Sequence, residues 1–143
     1  MQARIDAAGL TDRIEVDSAG TGGWHQGSPP DDRSVAEARR RGVELTSRAR
    51  QVHAGDFAYF DLLVAMDRSN QADLLDLAPT PADRAKVRLL REFDAAAPAG
   101  PGELDVPDPY SGGARGFADV YDLIDAACAG LLAHAVEQTT VDP

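Results

Sequence analysis

Asp61-Leu62-Leu63-Val64-Ala65-Met66-Asp67 sets a continuous apolar run between two carboxylates. A run this short, with neither helical nor alternating spacing, fits a strand buried on both faces of a parallel sheet. Downstream, a helix is predicted from about Ser69 to Leu77, where Pro79 stops it. Lys86-Val87-Arg88-Leu89-Leu90 follows as the last strand. Upstream, Asp56 to Phe60 reads as a short amphipathic helix, preceded by an irregular connection from Thr46 to Val52. Before that, Val43-Glu44-Leu45 returns to the core, and Pro29-Pro30-Asp31 opens a helix that runs to Arg41 and ends at Gly42. Arg13-Ile14-Glu15-Val16-Asp17-Ser18 alternates and is rich in β-branched residues, which predicts a strand near Ile14–Asp17. Gln2 to Ala8 reads as a helix closed by Gly9. The final helix, from about Gly116 to Ala135, places Phe117, Val120, Ile124, Ala127 and Leu131 on one face. Strands that alternate with helices imply an α/β fold, a parallel sheet with helices on both faces. Ligands of such sheets sit beyond the carboxyl ends of the strands.

The 143 residues suffice for one domain, residues 1–143, with a core of its own. The 43% hydrophobic and 27% charged content is that of an ordinary globular chain. No apolar run approaches a membrane span and no signal peptide leads the sequence, so the expected location is the cytoplasm. The single cysteine, Cys128, allows no internal disulfide and agrees with a reducing compartment. A net charge of −10 argues against a nucleic-acid partner, because phosphate contacts need a basic face. Arg33, Arg39, Arg40, Arg41, Arg48 and Arg50 nevertheless gather in one stretch with Asp31, Asp32, Glu37 and Glu44. That stretch is either a solvated, ion-paired face or a field that steers an anionic substrate.

Leu104-Asp105-Val106-Pro107-Asp108-Pro109-Tyr110 braces one carboxylate, Asp108, between two prolines that fix φ on either side. Taken alone, it is either a rigid loop presenting an acid or an ordinary proline-braced turn. Asp105 lacks the flanking Pro-Tyr and reads as solvated. His25, His53 and His134 are scattered, and with one cysteine they offer no metal-ligand spacing. Cys128 falls near the apolar face of the last helix and reads as a small buried hydrophobe.

Four motifs stand in order: Val16-Asp17-Ser18-Ala19-Gly20-Thr21, Ala49-Arg50-Gln51, Ala65-Met66-Asp67-Arg68-Ser69-Asn70 and Asp108-Pro109-Tyr110. Together they resemble the low-molecular-weight protein-tyrosine-phosphatases over essentially the whole chain. The resemblance implies a hydrolase of phosphotyrosine proteins or small aryl phosphates, working through a phosphocysteine intermediate without a cofactor. It implies that Asp108 is the general acid for the leaving phenolate and that Trp24 and Tyr110 line the substrate cleft. For Trp24 a second reading stays open, a loop aromatic packed on its neighbouring glycines. Ser18 matches a serine that supports the phosphate loop. Asp67 matches an acid behind the site, or an N-cap for the next helix. Ser47 stands where the family often has a histidine bracing that loop, and Ser111 where it often has a second tyrosine.

The family's C-x-x-x-x-x-R-[ST] loop and the strand before it have no counterpart in this sequence. No nucleophile is therefore assigned, and Cys128 has no arginine at the needed spacing. The resemblance places that strand between two of those found here. The expectation is an N-terminally truncated phosphatase, its start set too late, with unpaired backbone mid-sheet, inactive as it stands. The alternatives are a non-catalytic relative that binds a partner, or an arsenate reductase-like protein, whose chemistry calls for further cysteines. Phosphotyrosine and phosphoarginine are not separated by the sequence.

Overall fold

The computed structural model describes residues 1–97, 103–109 and 113–141, the last stretch without the side chains of 113–115 and 141. The elements run α1 (Gln2–Ala7), α2 (Asp32–Arg40), α3 (Gly55–Tyr59), β1 (Leu63–Ala65), α4 (Arg68–Leu77), α5 (Pro81–Arg84), β2 (Val87–Leu89), a 3-10 turn (Leu90–Phe93) and α6 (Gly113–Val141). β1 and β2 pair in parallel, with Leu63 opposite Val87 and Ala65 opposite Leu89.

The apolar run becomes β1 because both of its faces find a core. Leu63 and Ala65 pack with Phe57, Leu74, Val87 and Leu89 on one side. Val64 turns to the other, where Leu90, Val106, Ala127 and Cys128 form a second cluster with Ile124 and Leu131 of α6. The sheet is thus covered by α3 and α4 on one face and by α6 on the other, as α/β patterning requires.

The helix signals act as expected. Asp31 caps α2 by accepting from Arg33 N–H at 2.8 Å, and Asp67 caps α4 by accepting from Asn70 N–H at 2.7 Å. Gly9 and Gly42 follow α1 and α2 at φ of +69° and +79°, a conformation that costs other residues energy. α6 extends beyond the predicted span at both ends. The arginine stretch is a paired surface. Arg40 and Arg41 both bond Glu37, and Arg39 bonds Glu44. Arg41 also reaches Asp122 of α6, and Arg33 and Arg41 lie 4.6 and 4.7 Å over the rings of Phe117 and Tyr121. These arginines dock α2 on α6, which favours the ion-paired reading.

Two expectations are corrected. The segment Ile14–Asp17 is not a strand: among the described residues no ladder partner lies beside it, and only Gly20 makes an isolated parallel bridge, to Gln51. Alternation supplies a β pattern, but a strand exists only where another backbone pairs with it. Leu90 leaves β2 for the 3-10 turn, and at 2% exposure it stays as buried as a strand residue. The predicted loop at 98–102 lies outside the described residues.

Candidate active site

The acid loop is fastened at its root. Val106 is buried, and its N–H donates to the Met66 carbonyl at 2.8 Å, one residue past the end of β1. Asp105 Oδ1 accepts from Arg68 N–H at 2.9 Å. Arg91 donates from one guanidinium nitrogen to the carbonyls of Glu103 and Asp105, at 2.7 and 3.2 Å. Asp105 is therefore not the solvated side chain expected. It reaches back 37 residues to hold the loop against the first turn of α4. Two residues beyond Val106, Asp108 is exposed.

A second fixed point lies across the same end. Arg50 donates to both oxygens of Asp56, at 3.0 and 3.2 Å, and to Asp17 at 3.0 Å. His53 N–H donates to Asp56 as well, at 2.9 Å. Arg50 thereby joins the segment bearing Ser18 to the start of α3. Asp56 is 6% exposed, and burial by itself would raise its pKa. The bonds from Arg50 and His53 N–H, with the Arg50 charge, outweigh burial and hold the carboxyl below its ordinary value.

A folded pKa below the unfolded value of 3.8 gives stability that is present above that pH and is lost as pH falls through the folded value. Arg50→Ala leaves a buried carboxylate without its cation. The expected cost near neutral pH is about 1–3 kcal/mol, with acid unfolding beginning at higher pH than in the parent. Urea midpoints measured from pH 7 down to pH 3 check both.

Between the Ser18 segment and β1 runs a groove of ≈ 390 Å³, lined by residues that include Ser18, Arg50, Asp56, Met66 and Cys128. Ser18 lines this groove beside β1, and the acid loop is tied to the carboxyl end of the same strand through the Val106–Met66 bond, the end at which a parallel sheet places its ligands.

The family model for low molecular weight phosphotyrosine protein phosphatase matches residues 1–141. The chain belongs to this phosphatase family. It is 47% identical over 137 residues to the low molecular weight protein-tyrosine-phosphatase of Streptomyces coelicolor, covering 96% of this chain and 82% of that protein. A crystal structure of a protein tyrosine phosphatase from Entamoeba histolytica, with Hepes in its active site, superposes with a TM-score of 0.88 at 34% identity, covering 96% of this chain and 85% of that one. The Drosophila arginine phosphatase DARP superposes at 0.81 with 30% identity, covering 93% and 83%. The chain is by family an α/β protein-tyrosine-phosphatase.

Within this phosphatase fold the expected residues divide. Asp108 and Ser18 lie at the acid loop and the groove wall. Ser18 N–H donates to its neighbour Asp17, at 2.8 Å. Asp67 serves as the α4 N-cap, and Asn70, whose N–H it receives, lines the groove. Ser47 is exposed and does not line the groove. Trp24 is 87% exposed, and its ring lies back against Gly22, so close that a Cβ there would sit 2.0 Å from a ring carbon. The ring thus lies beside a neighbouring glycine while staying open to solvent. Tyr110 and Ser111 lie outside the described residues. Cys128 is buried at 5% exposure and lines the groove. Sequence reasoning missed the Arg50–Asp56 pair. Its signal was an arginine six residues before a carboxylate at a helix start, a spacing that points to no chemistry by itself.

Proposed function

We propose that these residues supply the leaving-group half of a phosphotyrosine hydrolase, with Asp108 as its general acid and Tyr110 at the rim of the aryl site. The observation that carries this reading is the anchored acid loop. Val106, Asp105 and Arg91 fix its root, and Asp108 follows two residues after Val106, exposed between its prolines.

Attack at phosphorus forms a bond to the nucleophile and breaks the bond to the aryl oxygen, and the departing oxygen takes the Asp108 proton. Ser18 and Arg50 occupy the wall on which a phosphate cradle would rest. Asp67 holds α4 in place as its N-cap, and Ser47, exposed and off the groove, takes no part in the support. The setting is a single domain in a reducing cytoplasm, and the substrates are phosphotyrosine proteins or small aryl phosphates.

The 143 residues contain no C-x-x-x-x-x-R-[ST] run, so they hold an acid without an attacking group. The purified chain, confirmed by intact mass, is expected not to hydrolyse p-nitrophenyl phosphate. Joining it to a segment that carries the cysteine loop is expected to give turnover. Turnover by the chain alone would overturn the division of labour. Absence of turnover in the joined protein, with its fold intact, would remove the phosphatase reading. Phosphoarginine assayed beside phosphotyrosine tells the two substrate classes apart.

A further inference from the structure

The 3-10 turn that follows β2 is firmly seated. Leu90 is buried in the second core cluster, Glu92 accepts from Leu89 N–H at 3.3 Å, and the Phe93 carbonyl lies against Gly130 of α6. Arg91 reaches from this turn to residues 103–105. One nitrogen, Nη1, donates to the carbonyls of Glu103 and Asp105, at 2.7 and 3.2 Å. Its Nε–H is buried and meets no acceptor among the described residues. No carboxylate among them pairs with the guanidinium either, since the Asp105 side chain is turned to Arg68 N–H.

A buried donor without an acceptor and a half-buried cation without a counter-ion both cost free energy. Apolar residues of similar volume often replace buried charged groups with no loss of stability, so packing alone does not call for arginine here. What arginine adds is a donor that bridges the end of β2 to the acid loop. The other two anchors run elsewhere, from Val106 to the residue after β1 and from Asp105 to the first turn of α4. Arg91 grips two main-chain oxygens, so it fixes the path of the backbone that leads to Asp108. Glu103 is exposed, and water can take the place of the guanidinium at its carbonyl.

We propose that Arg91 is a positioning residue for Asp108, kept at some loss of stability because it sets the backbone from which the acid reaches the leaving oxygen. This rests on the reading of Asp108 as the general acid. A displacement of about 1 Å caused far from the chemistry can slow a reaction about a hundredfold, so a tie at the loop's start has consequences at its tip. The combination expected of such a residue is a variant that is slower and no less stable.

The test is a double-mutant cycle of Arg91→Met and Asp108→Asn in the protein joined to the cysteine-loop segment, with phenyl phosphate, whose leaving oxygen needs a proton. Arg91→Met is expected to lower kcat at least tenfold, with KM and inhibition by inorganic phosphate within about twofold of the parent. On the Asp108→Asn background the same change is expected to alter kcat less than about twofold, because there is no proton left to place. Arg91→Lys, whose one nitrogen can serve both carbonyls, is expected to lie nearer the parent than Arg91→Met. In the 143-residue chain itself, Arg91→Met is expected to speed exchange of the Val106 amide, to leave that of Leu63 unchanged, and to keep the urea midpoint at or above the parent's. These chain measurements hold the proposal to account without turnover: a lowered midpoint, failure to fold, or an unchanged Val106 amide would overturn it. Losses that multiply in the double variant would overturn it too, because Arg91 would then act through something other than Asp108. An Asp108→Asn protein as fast as its parent would instead take away the acid reading on which the proposal rests.

Discussion

Asp108→Asn is expected to slow aryl phosphate cleavage by about a hundred- to ten-thousand-fold in a phosphatase assembled from this chain and a cysteine-loop segment. Asparagine keeps the shape of the side chain and loses the transferable proton. The loss therefore appears where negative charge builds on the leaving oxygen. Aryl phosphates with acidic phenols need little protonation and are expected to lose least, whereas phosphotyrosine is expected to lose most. Inhibition by inorganic phosphate should hardly change, because the acid does not hold the transferred group.

Asp105 provides the contrast, since its carboxylate is engaged with Arg68 N–H and it lies one residue before Val106, whose N–H bonds the Met66 carbonyl. Asp105→Ala loosens the loop without removing the proton, so its effect is expected to be similar for good and poor leaving groups. Rates across a series of substituted aryl phosphates separate the two cases. A flat series for Asp108→Asn would take Asp108 out of the proton transfer.

What the sequence made legible was whatever a residue decides within its own few neighbours. Leu62 to Ala65 has no polar face to offer, so it had to be a strand covered on both sides. Gly9 and Gly42 ended helices because only glycine rests easily at their φ values. Asp67 capped α4 because its acceptor lies three residues from an unpaired helical N–H.

The misreadings share a cause, which is dependence on a partner far along the chain. Ile14–Asp17 has the composition of a strand, but pairing is a property of two backbones. Asp105 looked solvated because Arg68, whose N–H it accepts, is 37 residues away. The acid loop, by contrast, was expected at the carboxyl ends of the strands from chain order alone, and the bond from Val106 N–H to the Met66 carbonyl is what fastens it there.

Two glycines of α6 are expected to respond to alanine with opposite signs. Helix propensity favours alanine over glycine by about 1 kcal/mol at both, so the surroundings decide. A Cβ on Gly116 would meet the Pro109 carbonyl oxygen at 3.5 Å, an ordinary contact beside the acid loop. Gly116→Ala is therefore expected to stabilise the chain by up to about 1 kcal/mol. A Cβ on Gly130 would fall 1.8 Å from the Phe93 carbonyl oxygen and 2.9 Å from its carbon. Both atoms are backbone, which cannot swing aside as a side chain does. Either α6 or the 3-10 turn has to move, and their contact carries Leu90 against Ala127 and Cys128 in the second core cluster. Close-packed interiors absorb such shifts poorly, and overpacking a core costs about 1–3 kcal/mol even where side chains can adjust. Gly130→Ala is expected to reach or exceed the top of that range after the propensity gain is subtracted. Because Val106 belongs to the same cluster, the shift should carry into the root of the acid loop and speed exchange of the Val106 amide. Urea denaturation gives the two signs, and hydrogen exchange gives the coupling. A Gly130→Ala chain as stable as its parent, with Val106 equally protected, would show that α6 does not press on Phe93 as closely as its backbone is placed.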